Sequence, residues 1–174
     1  MVLDEFRTLM DGVSIQWYRA GEEGPAVVLL HGGGIDSAML SWKMVIPALE
    51  SNYRVFMPNW PGYGESIPFH SESSPFQGGS TMDGLIETLE GLMNAWELVD
   101  AALVGLSMGG PAAIGYTLKN PTRVRQLGLV DTYGIQRRVS AHLLSYLSMQ
   151  IPWISRRLWE YVLPVLGLGK THSG

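Results

Sequence analysis

The segment Gly105-Leu106-Ser107-Met108-Gly109-Gly110 follows directly on the apolar run Ala101-Ala102-Leu103-Val104. Small residues on both sides of a serine let a chain bend sharply from strand to helix without striking its neighbours. Such a bend holds the hydroxyl above the edge of a sheet, which makes Ser107 a candidate nucleophile. The same spacing constrains the fold. A strand must end and a helix begin within a few residues, so the rest of the chain should alternate strand and helix.

The sequence supplies that alternation. Phe6 to Met10 and Val13 to Arg19 flank Asp11-Gly12, a dipeptide suited to the positive φ angles of a two-residue turn, and predict an opening hairpin. Ala26 to Leu30 is apolar throughout, as in a strand covered on both faces, and stops at His31-Gly32-Gly33-Gly34. From Ser37 the apolar spacing turns helical, and Arg54 to Pro58 returns to strand. Ser80 reads as the N-cap of a helix with Asp83 in its first turn and Leu85, Leu89, Leu92 and Trp96 on one face. Ala101 to Leu106 is a strand and Met108 to Lys119 a helix stopped by Asn120-Pro121. Val124 to Val130 is a strand closing on Asp131. The pattern predicts an α/β fold: a mainly parallel sheet with helices on both faces. Residues 1–134 form the expected core and 135–174 an apolar-rich helical segment, with Leu144, Trp153 and Trp159 among its large side chains.

The chain has 174 residues, 46% of them hydrophobic and 16% charged, enough for one globular core. A formal net charge of −4 leaves no broad basic surface, so nucleic acid is not an expected partner. The absence of cysteine excludes a disulfide framework and thiolate metal sites and suits a reducing compartment, so a cytoplasmic location is expected. Asp4, Glu5 and Arg7 interrupt the start of the chain, which is unlike a secretory signal. Pro152, Arg156, Arg157, Glu160 and Pro164 break up the segment Leu143 to Leu168, so no membrane span is expected.

Attack on a carbonyl places negative charge on an oxygen that needs donors. A triple glycine after a strand is by itself a tight turn, but paired with the serine motif its amides at the carboxyl end of a strand, with that of Met108 at the start of a helix, make Gly33, Gly34 and Met108 the expected oxyanion donors. Gly167-Leu168-Gly169-Lys170-Thr171 is no phosphate loop. Pro164 stands where its first glycine should be, and too few residues follow for a helix.

Three motifs together, His31-Gly32-Gly33-Gly34, Pro58-Asn59-Trp60-Pro61-Gly62-Tyr63-Gly64-Glu65-Ser66 and Gly105-Leu106-Ser107-Met108-Gly109-Gly110, make the chain resemble the α/β-hydrolase family. The resemblance spans about residues 10 to 135 and is closest to the esterase, epoxide hydrolase and carbon–carbon bond hydrolase branch. It implies that the strands ending at His31 and Leu106 lie side by side at the sheet's switch point, where ligands bind. It also implies an acyl-enzyme on Ser107, a small ester or similarly activated carbonyl as substrate, no metal or organic cofactor, and a cap beginning at residue 135.

Asn59 and Leu106 depart from the aspartate and histidine often found at those family positions, and neither change removes a catalytic group. The larger departure is the triad. The family order is serine, then acid, then histidine, the last two on loops after later strands, and the expected fold lacks those carboxyl-terminal strands. Asp131 is a candidate acid, with a turn residue ahead of Thr132-Tyr133-Gly134 as the alternative. The resemblance makes His31 a structural or loop-positioning residue, and His70, His142 and His172 read as solvated or packing residues rather than a base. Two functions remain open: a serine hydrolase with an incomplete triad, or a non-catalytic truncated remnant or binding subunit that needs a second polypeptide. A shortened cap with an exposed inner face would favour self-association.

Overall fold

The structure, a computed structural model, describes residues 3–10, 12–66 and 81–134. Six strands form one sheet: β1 (Asp4–Met10), β2 (Val13–Ala20), β3 (Ala26–Leu30), β4 (Arg54–Pro58), β5 (Ala101–Leu106) and β6 (Val124–Val130). Their order across the sheet is β1-β2-β4-β3-β5-β6. The hairpin β1–β2 pairs Met10 with Val13, so the connection is the expected two-residue turn, with Gly12 at φ 80°. β2 also runs antiparallel to β4, whereas β3–β4, β3–β5 and β5–β6 are parallel. Successive strands leave β3 in opposite directions, toward β4 on one side and β5 on the other. The switch point therefore lies between the ends of β3 and β5, as the motifs implied.

Helices cover both faces. On one, Leu85, Leu89 and Met93 of α3 (Met82–Ala95) and Ala112, Ala113 and Tyr116 of α4 (Gly109–Lys119) bury against Val28, Leu30, Phe56 and Leu103. On the other, Ala38 and Trp42 of α1 (Ala38–Trp42) and Ile46 of α2 (Ile46–Leu49) bury against Val27, Leu29, Val55 and Met57. Both core clusters draw on β3, whose five residues are all buried, which explains its unbroken apolar run.

Three boundaries differ from the sequence reading. The helical stretch after Ser37 is two short helices, because Pro47 has no N–H to continue the first and instead starts the second. The N-cap of α3 is Thr81, not Ser80: its hydroxyl accepts from the Gly84 N–H at 3.2 Å, while Ser80 lies outside the described residues. Met108 caps α4 rather than opening it, and a 3₁₀ turn, Pro121–Arg123, leads into β6. The expected cap at residues 135–174, the self-association expected of it, and His70, His142 and His172 also lie outside the described residues. Among the described residues no helix is long and apolar enough to cross a membrane.

Candidate active site

The bend at Ser107 is built by backbone contact. A Cβ on Gly105 would stand 2.5 Å from the Gly109 carbonyl oxygen, and one on Gly109 would stand 2.5 Å from the Leu30 carbonyl oxygen. Glycine at both positions thus lets β5, α4 and the end of β3 approach main chain to main chain. Ser107 takes φ 48°, a left-handed conformation unusual for a side-chain-bearing residue. The bend is tied down from β6: the Ser107 N–H donates to the Val130 carbonyl at 3.0 Å, and the Ser107 carbonyl accepts from Tyr133 N–H at 3.2 Å and Gly110 N–H at 3.1 Å. Ser107 itself stays half-buried at the top of the sheet, outside the packed core.

Across the switch point lies the glycine loop. Its place beside the serine is direct, since a Cβ on Gly32 would be 3.3 Å from Ser107 Cβ. His31 fixes the start of this loop. Its side chain is fully buried, its Nε2 accepts from Trp60 N–H at 3.0 Å, and its Nδ1 lies 2.8 Å from the Gly32 carbonyl. A carbonyl can only accept, so the ring is neutral with its proton on Nδ1. Burial lowers its pKa from 6.5 to about 4, against smaller opposing effects of the Gly32 carbonyl and Asp36. With both nitrogens engaged, His31 positions the loop and is not free to take a proton from Ser107.

The Gly32 carbonyl and the Gly33 N–H belong to one planar trans peptide and point opposite ways. Turning that carbonyl onto His31 therefore aims the Gly33 amide away from the histidine. The preceding amide, Gly32 N–H, donates to Asp36 Oδ2 at 2.8 Å and is not available in the cleft. The amides of Gly33, Gly34 and Met108, the three expected donors, have no acceptor among the described residues. Gly34 adopts φ 75° and is exposed, so the loop turns outward there. The Met108 side chain lies over Gly33, its Sδ 3.3 Å from where a Cβ would be, and the Tyr63 hydroxyl reaches the same spot at 3.7 Å.

The third motif is the brace behind these loops. Asn59 Oδ1 accepts from Ala38 N–H at 2.7 Å and its Nδ2 donates to Gln16 Oε1 at 2.6 Å, while Ser66 Oγ donates to the Asn59 carbonyl at 3.0 Å. Gln16 Oε1 also accepts from Glu65 N–H at 3.0 Å. An aspartate could not donate to Gln16, which gives the amide at position 59 a physical reason. Asp131 follows β6 beside the bend, exposed, at φ 45°, and no described residue bonds its carboxylate. Sequence reasoning passed over Asp36, Trp60 and Tyr63. Each lies within or just after a motif, but only the folded contacts show what it holds.

The profile of the alpha/beta hydrolase fold family matches residues 25–164. The chain is 31% identical over 128 residues to 2-hydroxy-6-oxo-2,4-heptadienoate hydrolase of Pseudomonas putida, covering 73% of this chain and 44% of that protein. It is 30% identical over 125 residues to 2-hydroxymuconate semialdehyde hydrolase of a Pseudomonas species, covering 71% and 42%. Among solved structures it resembles a putative lipase from Acinetobacter baumannii, with TM-score 0.73 and 27% identity over 85% of this chain and 48% of that one. A meta-cleavage product hydrolase from Pseudomonas fluorescens matches with TM-score 0.61 and 30% identity over 70% and 43%. The chain thus spans less than half the length of each of these proteins. The match over most of its residues, on a sheet with the switch point and glycine loop just described, shows that the chain belongs to the alpha/beta hydrolase fold family.

Proposed function

We propose that this chain carries the nucleophile and oxyanion half of a serine hydrolase acting on an ester or similarly activated carbonyl. The observation that carries the reading is Ser107, held at a left-handed bend directly beside the glycine loop. In the proposed step the Ser107 oxygen attacks the carbonyl carbon and loses its proton to a base. The negative oxygen that forms is held by the amides of Gly33 or Gly34 and of Met108, and its collapse expels the leaving group and leaves an acyl-enzyme. Water then releases the acid. The hydrolase of a 6-oxo-dienoate among the relatives makes an activated ketone a second candidate for the same attack.

Asp131 is the proposed acid, because β6 delivers it to the same end of the sheet as Ser107. The base must come from outside the described residues, since His31 is engaged at both nitrogens. That observation also favours a second reading: a binding subunit that becomes catalytic when another polypeptide supplies the missing groups. Either form would act on a small molecule, and we place it in the cytoplasm on the cysteine-free composition.

The test is labelling of the purified chain by a serine-directed fluorophosphonate, with turnover of a p-nitrophenyl ester, against Ser107→Ala. We expect the substitution to abolish labelling and to reduce any turnover by about 10³-fold or more. Equal signals from both proteins would remove Ser107 from the mechanism. Silence from the parent that is relieved by adding a carboxyl-terminal half from a relative would favour the binding-subunit reading.

A further inference from the structure

We propose that Asp36 is a positioning residue for the oxyanion loop, setting the direction of the Gly33 amide through its hold on Gly32. The proposal rests on the hydrolase reading above and adds to it the group that shapes the cradle. Asp36 stands between the glycine loop and α1, and every polar neighbour it touches gives it a proton. Gly32 N–H donates to Oδ2 at 2.8 Å and Ser37 N–H to Oδ1 at 2.7 Å, while the Ser41 hydroxyl lies 2.8 Å from each oxygen. His31 Nδ1 is 3.9 Å from Oδ2. A carboxylate, which only accepts, is the side chain of this size that satisfies all three donors.

The geometry of Gly32 shows what this hold achieves. Its N–H is fixed by Asp36 and its carbonyl by His31, so the peptide planes on both sides of its Cα are set. The second of those planes carries the Gly33 N–H. Gly32 is also wedged in space: a Cβ there would meet Asp36 Oδ2 at 3.0 Å and Ser107 Cβ at 3.3 Å. Gly32 is thus held by Asp36 within a methyl's reach of the nucleophile's own Cβ. A glycine loop left to itself would sample many conformations, and a donor that must be reoriented in each encounter stabilises an oxyanion poorly.

The carboxylate also removes the wrong donor. With Gly32 N–H turned onto Asp36, a carbonyl oxygen entering the cleft finds the Gly33, Gly34 and Met108 amides, which fixes where the reacting carbon lies relative to Ser107. Asp36 touches no substrate in this scheme and acts only through the backbone it holds.

The deciding variant is Asp36→Asn in the full chain, with Ser41→Ala as control. Asparagine keeps the shape, but both carboxylate oxygens face a backbone N–H, so its amide nitrogen must meet a donor whichever way it turns. The variant is expected to fold, to show Gly32 amide hydrogen exchange at least about 10-fold faster, and to shift the Gly33 amide resonance. Phosphonate labelling of Ser107 should slow by about 10- to 100-fold, and in turnover the loss should fall on kcat rather than KM, as for a misplaced oxyanion donor. Ser41→Ala, which leaves both backbone bonds in place, should change labelling by less than about 3-fold. Wild-type labelling by Asp36→Asn, where Ser107→Ala does not label, would overturn the positioning role and leave the hydrolase reading standing. Unchanged Gly32 and Gly33 amides would overturn it equally. If no form of the chain labels even with a carboxyl-terminal half from a relative added, the hydrolase reading falls, and the amide measurements still decide whether Asp36 sets the loop.

Discussion

A buried histidine with both nitrogens engaged makes folding sensitive to acid. His31 binds its proton near pH 4 in the folded chain and near 6.5 when unfolded, because burial disfavours the charged ring. Between those values the unfolded state carries more protons, so this group's contribution is complete above about pH 6.5 and is lost as pH falls toward 4. The full difference corresponds to about 3 kcal/mol. Urea midpoints at pH 7 and pH 4.5 should therefore lie further apart for the parent than for His31→Gln, which has no proton to gain. Equal separations would show that the ring does not remain neutral on folding. The family resemblance implied a structural or loop-positioning role for His31, and its hydrogen bonds to Gly32 and Trp60 are of that kind. Its partners were not legible in the sequence: Trp60 is 29 residues away, and only the pairing of β3 with β4 brings the two together. Asp36 was hidden for the opposite reason. It is so close to the motif that it reads as an ordinary residue ahead of a helix.

The elements show the same division between local and long-range information. Strands β3, β4, β5 and β6 have the bounds the sequence suggested, because an apolar run ended by glycine, proline or aspartate is a local signal. The start of α3 was off by a residue because Ser80 and Thr81 are both acceptable caps in isolation. What no local rule revealed is how tightly the bend at Ser107 is packed. Gly105 permits the strand-to-helix turn, but the structure adds that its missing side chain is filled by the Gly109 carbonyl and Gly110 Cα at 2.5 and 2.7 Å. Backbone at that distance cannot yield as a side chain would. Gly105→Ala should cost about 3 kcal/mol in urea unfolding and disturb the serine with it. Gly128→Ala, in the neighbouring strand, is the contrast. Its added methyl would touch Val104 Cγ2 at 3.4 Å, an ordinary contact, and the change should be neutral or stabilising by about 0.5 kcal/mol. Similar losses at both sites would mean that strand glycine in general, rather than the backbone crossing, limits stability.

At the scale of the whole molecule the two margins of the sheet differ in kind. β1 forms one margin, where Asp4, Glu5 and Arg7 lie exposed and Arg7 pairs with Glu65, so charge discourages another strand from adding there. β6 forms the other, paired among the described residues only with β5, and there Leu127, Leu129 and Val130 are exposed along the strand. Interior strands of a parallel sheet are apolar because both faces are covered. Among the described residues, most of β6 is exposed where every residue of β3 is buried. A margin with exposed apolar side chains and, among the described residues, one free side invites association through strand addition. The purified chain should accordingly sediment with a weight-average mass that rises with concentration. The double variant Leu127→Lys, Leu129→Lys, which places two charges on one face of β6, should sediment nearer the monomer with its circular dichroism unchanged. Association that persists undiminished in that variant would locate the contact elsewhere on the molecule. A parent that stays monomeric at every concentration would show that the β6 margin is already covered in solution.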